Sequence, residues 1–157
     1  MSNAPSRRRT TRLAINRLLE RGPVDAAAVD RFVARHGSPI VEGHRATFLW
    51  RGEADRVVVT HRVVGLPQPL VMRRASGTDL WYVTSDVPPG SRIEYQLEVT
   101  RDGRTDQFVN DPLNPRVAVG PFGSQSVLAA EGYHVPDWTL PDAEARPGTV
   151  TGISLAS

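Results

Sequence analysis

Residues 77–115 read GTDLWYVTSDVPPGSRIEYQLEVTRDGRTDQFVNDPLNP, and their periodicity decides the fold. Leu80, Tyr82 and Thr84 alternate with Trp81, Val83 and Ser85 until Pro88-Pro89-Gly90 breaks the run. Ile93, Tyr95, Leu97 and Val99 then fall on one face, with Arg92, Glu94, Gln96 and Glu98 on the other. A period of two with one apolar and one polar side marks a strand lying between a core and water. Asp102-Gly103 tolerates positive φ and predicts a hairpin into a third strand, Arg104 to Val109, which Asn110-Asp111-Pro112 ends.

The same period extends outward from this meander. Ala46, Phe48 and Trp50 alternate with Thr47 and Leu49, residues 51–55 form a turn, and a second strand runs from Arg56 to Val64. Gly65-Leu66-Pro67-Gln68-Pro69 cannot join a regular ladder and reads as a loop, followed by a short strand from Leu70 to Arg73. Val117 to Val119 and Gln125 to Ala129 are further extended segments around Gly120-Pro121-Phe122-Gly123. Six to eight short strands with closely spaced turns predict a mainly β protein, a β-sandwich.

Before the strands, residues 10–36 have helical spacing. Thr10 or Thr11 is a candidate cap for a helix carrying Leu13, Leu18 and Leu19 that stops at Gly22-Pro23. Asp25 caps a second helix with Val29, Phe32 and Val33 on one face and Gly37 at its end. Two short helices with narrow apolar faces cannot form a core alone, so they are expected to dock on the β-domain or on a neighbour. After the sandwich, Pro136, Pro141 and Pro147 punctuate an acidic stretch that reads as a linker. Thr149 to Ser157 is strand-like again (Val150, Ile153, Leu155) and, lacking a partner, is expected to open a further domain. The expected organisation is a basic arm at 1–9, two helices at 10–37, a sandwich at 38–135, and a linker with one strand at 136–157.

Composition narrows the chemistry. The chain has no cysteine, which excludes disulfides and thiolate metal sites. No apolar run approaches a membrane span, and no secretory pattern is present, so no membrane partner is expected. Residues 1–21 hold six arginines against Glu20 alone, whereas the other residues are slightly acidic. Arg7-Arg8-Arg9 reads as a solvated terminus rather than a nucleic-acid arm.

No catalytic constellation emerges. Gly123-Ser124-Gln125-Ser126 lacks the second glycine and the strand-to-helix setting of a nucleophile elbow. His36, His44, His61 and His134 are scattered without metal-ligand spacing, and neither a metal nor a cofactor is expected. His36 closes a helix, where the dipole accounts for it, and His61 reads as an ordinary strand residue. Asp106 and Asp111 straddle one strand, but Asp111 before Pro112 is turn chemistry, its side chain able to accept from the amide two residues on. Trp50, Trp81 and Trp138 are the ligand-contact candidates, since aromatic faces suit a sugar or a catechol ring. Against this, Trp50 and Trp81 sit in alternating strands as core residues do, and Trp138 reads as packing on the domain edge or on a further domain.

Several of these elements together resemble a known family. Phe48-Leu49-Trp50-Arg51, the run from Met72 through Gly77-Thr78-Asp79-Leu80-Trp81, Pro89-Gly90 before Tyr95, and Asp111-Pro112-Leu113-Asn114-Pro115 are similar to the N-terminal domain of enterochelin (enterobactin) esterases. The Asp111–Pro115 element, followed by a Gly-rich turn, Ser126 and Pro136-Asp137-Trp138, is the most specific part. The resemblance covers about residues 38–150 and implies an early-set, immunoglobulin-like sandwich placed before a C-terminal α/β-hydrolase domain. It further implies a cytoplasmic parent enzyme that cleaves the esters of a ferric catecholate siderophore, to release iron, with the catalytic groups in the hydrolase. This part would be non-catalytic, shaping the substrate cleft or packing on the hydrolase. A carbohydrate-binding early-set module is the alternative, weakened by the lack of any lysine beside the tryptophans. A dimerisation scaffold acting as a homo-oligomer is a third reading.

Overall fold

The computed structural model describes residues 12–20, 22–121, 123–146 and 148–154, with only the backbone at Gln107. Two antiparallel sheets pack face to face. The first has the order β1 (Ile40–Glu42), β2 (Arg45–Arg51), β6 (Leu80–Asp86), β5 (Arg73–Arg74). The second has the order β4 (Leu70–Val71), β3 (Arg56–His61), β7 (Arg92–Arg101), β10 (Gly123–Ala129), β9 (Val117–Gly120), and β8 (Arg104–Val109) also pairs with β7. This is a mainly β, immunoglobulin-like sandwich with two helices, α1 (Ala14–Leu19) and α2 (Ala26–His36), on one side.

Strand β7 sets the second sheet. Ile93, Tyr95, Leu97 and Val99 all point inward and are buried, and the charged residues between them face out. Each such aliphatic side chain contributes about 1.5–3 kcal/mol when fully buried. One edge of β7 pairs with β3 along Tyr95–Thr100. The other edge is shared: Leu97–Arg101 pairs with β8, and Arg92–Tyr95 with β10. The change of partner coincides with a bulge between Leu97 and Val99 and with Phe108 at φ 58°. Gln96 spans the junction, donating from Nε2 to the carbonyls of both Phe108 and Ser124 at 3.1 Å.

The first sheet is buried on both faces. Ala46, Phe48, Trp50 and Trp81 meet the second sheet, with the Phe48 and Tyr95 rings edge to face at 4.9 Å. Leu49, Leu80 and Tyr82 face the other way and pack with Ile15, Val29 and Phe32 of the helices. The helices therefore dock on the β-domain, completing a second core they could not build alone. Arg51 ties the layers at the rim, holding Asp79 of the turn before β6 at 3.0 Å and Asp30 of α2 at 2.6 Å.

Several sequence expectations are corrected in detail. The segment from Leu70 to Arg73 is two strands, not one: Leu70–Val71 pairs with β3 and Arg73–Arg74 with β6. Met72 is buried at the crossing, its N–H on the Val57 carbonyl, so the chain changes sheets there. Strand β3 ends at His61 rather than Val64 because Nδ1 of His61 captures the Val63 amide and its Nε2 contacts the Pro67 carbonyl. His61 is buried by that turn. Asp25 and Gly37 close α2 as expected. Thr10 and Thr11 lie outside the described residues, and α1 starts after Leu13 without a local side-chain cap; the Glu42 carboxylate instead accepts from the Ala14 amide at 3.0 Å. The basic arm at 1–9 and residues 155–157 also lie outside the described residues, and residues 149–154 join no ladder.

Gly52 is the tightest glycine. Its φ is 140°, and a Cβ there would lie 2.8 Å from the Trp50 ring. That ring is buried against Trp81, whose indole N–H donates to the Gly52 carbonyl at 3.2 Å. Gly52→Ala is expected to lower stability by roughly 2–4 kcal/mol, from backbone strain and overpacking together. A urea midpoint shift of less than about 0.5 kcal/mol equivalent would show that the ring moves freely.

Candidate functional site

The Asp111–Pro115 element leaves β8, crosses the end of the sandwich and supplies its most concentrated polar chemistry. Asp111 is 2% exposed, yet it carries a carboxyl group. Its Oδ2 accepts from the Ser38 hydroxyl and from the Tyr95 hydroxyl, each at 2.7 Å, and its Oδ1 accepts from the Leu113 amide at 2.8 Å. The last bond is the turn contact expected from Asp before Pro. The backbone of Asp111 is held as well, its N–H donating to Ser126 Oγ at 2.8 Å.

Asn114 completes the arrangement. Its Nδ2 donates to the Tyr95 oxygen at 3.0 Å and to the Val127 carbonyl at 2.9 Å, while Oδ1 accepts from the Arg116 amide. Ser38 in turn accepts the Leu49 amide at 3.0 Å. The knot thus joins the loop before β1, strands β2, β7 and β10, and the turn after β8. A buried carboxyl is tolerated only when its lone pairs are satisfied, and here three donors converge on it. Beside the knot, Asn110 bonds Ser124 at 2.7 Å through Nδ2, while its Oδ1 is buried without a partner among the described residues.

Electrostatics follow from burial. Loss of water pushes the Asp111 pKa above the ordinary carboxylate value, against the pull of the Tyr95, Ser38 and Leu113 bonds. Burial first, and then the Asp111 charge, drive Tyr95 far above an ordinary phenol. Tyr95 therefore stays protonated and acts as a donor. Ser38 bonds a carboxylate, but it is buried, and among the described residues none of its bonds involves a histidine. Acyl transfer needs an accessible hydroxyl and an aligned base; this geometry holds layers together.

The other sequence candidates are dispersed. Trp50 and Trp81 are 4% and 7% exposed and face each other across β2 and β6 inside the sandwich. Neither presents a free ring face. Trp138 is 85% exposed in a single helical turn, Asp137–Thr139, so it does not pack on the domain edge. It borders a shallow groove of about 1030 Å³ with Val117, Tyr133 and Val135. Asp106 pairs with Arg101 on the surface at 2.9 Å and takes no part in the Asp111 knot. His36 stacks near Phe32 at 4.8 Å, and burial, followed by the Arg35 charge, lowers its pKa. His36 nevertheless lies in the last turn of α2, the helix-end position expected from the sequence. No group of three or more potential ligands occurs among the described residues, and no described helix is long and apolar enough to cross a membrane.

Sequence reasoning named Asp111 and Asn114 but missed Ser38, Tyr95 and Ser126 as their partners. The signal was present in Tyr95: a phenol on the inward face of a central strand needs a buried hydrogen-bond partner.

Three outcomes test this geometry. Asp111→Ala strands two hydroxyls and an amide and is expected to cost roughly 3–5 kcal/mol. A group whose folded pKa is raised contributes stability that is full below its unfolded pKa and declines as pH rises through the folded value. The stability of the native chain relative to Asp111→Asn should therefore fall as pH is raised from below 4 towards neutrality; a flat or rising difference contradicts the buried-carboxyl assignment. In fluorescence, Trp138→Phe should remove the water-exposed, red-edge emission and leave a blue-shifted spectrum from Trp50 and Trp81.

Comparison with known proteins agrees with this architecture. The family described as enterochelin esterase, N-terminal, matches residues 45–139. The enterobactin esterase from Shigella flexneri, crystallised in the presence of enterobactin, is 25% identical with a TM-score of 0.56 over 78% of this chain and 40% of that one. A second structure of the Shigella flexneri enterochelin esterase, at 24% identity, gives the same TM-score and coverage. The chain thus spans about 40% of the length of these two solved structures. No curated protein matches it. With the family match covering most of the sandwich, the chain belongs to the enterochelin esterase N-terminal domain family.

Proposed function

We propose that this chain is the non-catalytic N-terminal part of an esterase that hydrolyses the ester bonds of a ferric catecholate siderophore in the cytoplasm. In this reading a C-terminal α/β-hydrolase domain supplies the nucleophile and base, and the sandwich shapes the substrate cleft or packs on that domain. The observation that carries it is the burial of the Ser38–Asp111–Tyr95 group: its hydroxyl–carboxylate pairing is committed to cohesion and is closed to substrate. The exposed apolar surface around Trp138, Val135 and Leu140 supports a packing role, since large exposed apolar patches mark interaction surfaces.

Incubated with p-nitrophenyl acetate, the purified chain should release nitrophenol at the buffer rate. Turnover that survives repurification and is lost on Ser38→Ala would overturn the non-catalytic assignment. Joined to its hydrolase domain, the sandwich should raise the rate on a ferric catecholate triester over that of the hydrolase alone.

A glycan-binding module is a second reading, and the exposure of Trp138 beside its groove is what favours it. Quenching of Trp138 emission by malto-oligosaccharides supports that reading, and a flat titration at millimolar sugar opposes it.

A further inference from the structure

The helices give one face to the sandwich and leave a cleft between them of about 630 Å³. That volume lies within the roughly 300–1,000 Å³ of small-molecule pockets. Leu18, Val24 and Phe32 supply its apolar wall, and Arg17, Arg31 and Arg35 its charge; among the described residues no carboxylate lines it. Elsewhere on the described surface Arg45, Arg51, Arg74, Arg92 and Arg101 each meet an acidic partner, whereas Arg56, Arg62, Arg73, Arg104, Arg116 and Arg146 do not. Convergence on one cleft, not the lack of a partner alone, therefore sets Arg31 and Arg35 apart. Arg17 has only a loose contact with Glu42, at 3.7 Å, and among the described residues Arg31 and Arg35 have no acidic partner.

The placement of the two is informative. Arg31 and Arg35 lie four residues apart on α2, one above the other, so they repel in the free chain. Arg35 is in the last helical turn, where the dipole favours a cation, but Arg31 stands in mid-helix without that help. Two guanidinium groups one helical turn apart, lining a cleft with an apolar wall, are complementary to oxyanions attached to a hydrophobic body.

We propose that the cleft between α1 and α2 binds a small polyanion, with carboxylate or phosphate groups on Arg31 and Arg35 and an apolar or aromatic body against Leu18, Val24 and Phe32. The segment lies before residue 45, outside the family match, so this proposal stands independently of the esterase reading. His36, also in the cleft wall, provides an internal reporter. Arg35 and Arg17 face it with like charge and Glu42 with opposite charge, and a bound anion would add to the Glu42 side.

The test is titration of the whole chain with benzene-1,3,5-tricarboxylate and, separately, phenyl phosphate, followed by calorimetry and by the His36 ring protons. Saturable binding is expected with at least one probe, accompanied by a rise in the His36 pKa, and the tighter probe identifies the head group. The double variant Arg31→Gln/Arg35→Gln should weaken it about tenfold or more, while Arg104→Gln, on a distant hairpin, leaves it unchanged. Absence of saturation with both probes at millimolar concentration, or equal affinity in the double variant, overturns the proposal. Because both arginines are solvent-exposed, the variants retain the fold, which the unchanged tryptophan emission verifies.

Discussion

A single buried carboxyl group constrains the structure more than any other feature. Asp111 is placed where water cannot reach it, so the fold must bring donors to it. It does so from three separate parts of the chain: Ser38 before the first strand, Tyr95 in the central strand, and the Leu113 amide in its own turn. Any arrangement that separates the loop before β1 from β7 leaves this group unpaired in an apolar setting. The cost of that separation, rather than the gross strength of the bonds, makes the arrangement specific.

The knot also explains how two cores coexist in a small chain. The first sheet has the second sheet on one face and the helices on the other, so its strands depend on both layers. Ser38 lies where α2 gives way to the sandwich, and it accepts the Leu49 amide while donating to Asp111. Leu49 itself belongs to the helix-facing core. One hydroxyl therefore couples the helical layer to the inter-sheet polar cluster. Arg51, two residues beyond Leu49 on β2 and bonded to Asp30 and Asp79, provides a second and more exposed tie.

How far this could be read from residues follows from sequence distance. Strand β7 has a strict two-residue period and a hairpin after it, and the strand Arg104–Val109 emerges with its expected bounds. Asp25 and Gly37 act locally and were legible for the same reason. The change of sheet at Met72 was not, because a five-residue apolar and basic stretch has no period that reveals two partners. Nor was the start of α1, whose first amide is held by Glu42, 28 residues away. At the site, the bond from the Leu113 amide to Asp111 was readable as turn chemistry. Ser38 is 73 residues from Asp111, and that pairing became visible only when the layers were assembled.

The central claim is that the Asp111 knot is part of the cooperative core rather than a trimming on the sandwich end. Native-state amide hydrogen exchange measures this directly, because local and global openings have different free energies. The amides of Leu49, Asp111 and Leu113 are held by Ser38 Oγ, Ser126 Oγ and Asp111 Oδ1. Their exchange should require the same free energy as that of Leu97 and Val99 in β7, equal to global unfolding. Exchange of the Asp111 and Leu113 amides through a low-energy local opening, with β7 still fully protected, would contradict the claim.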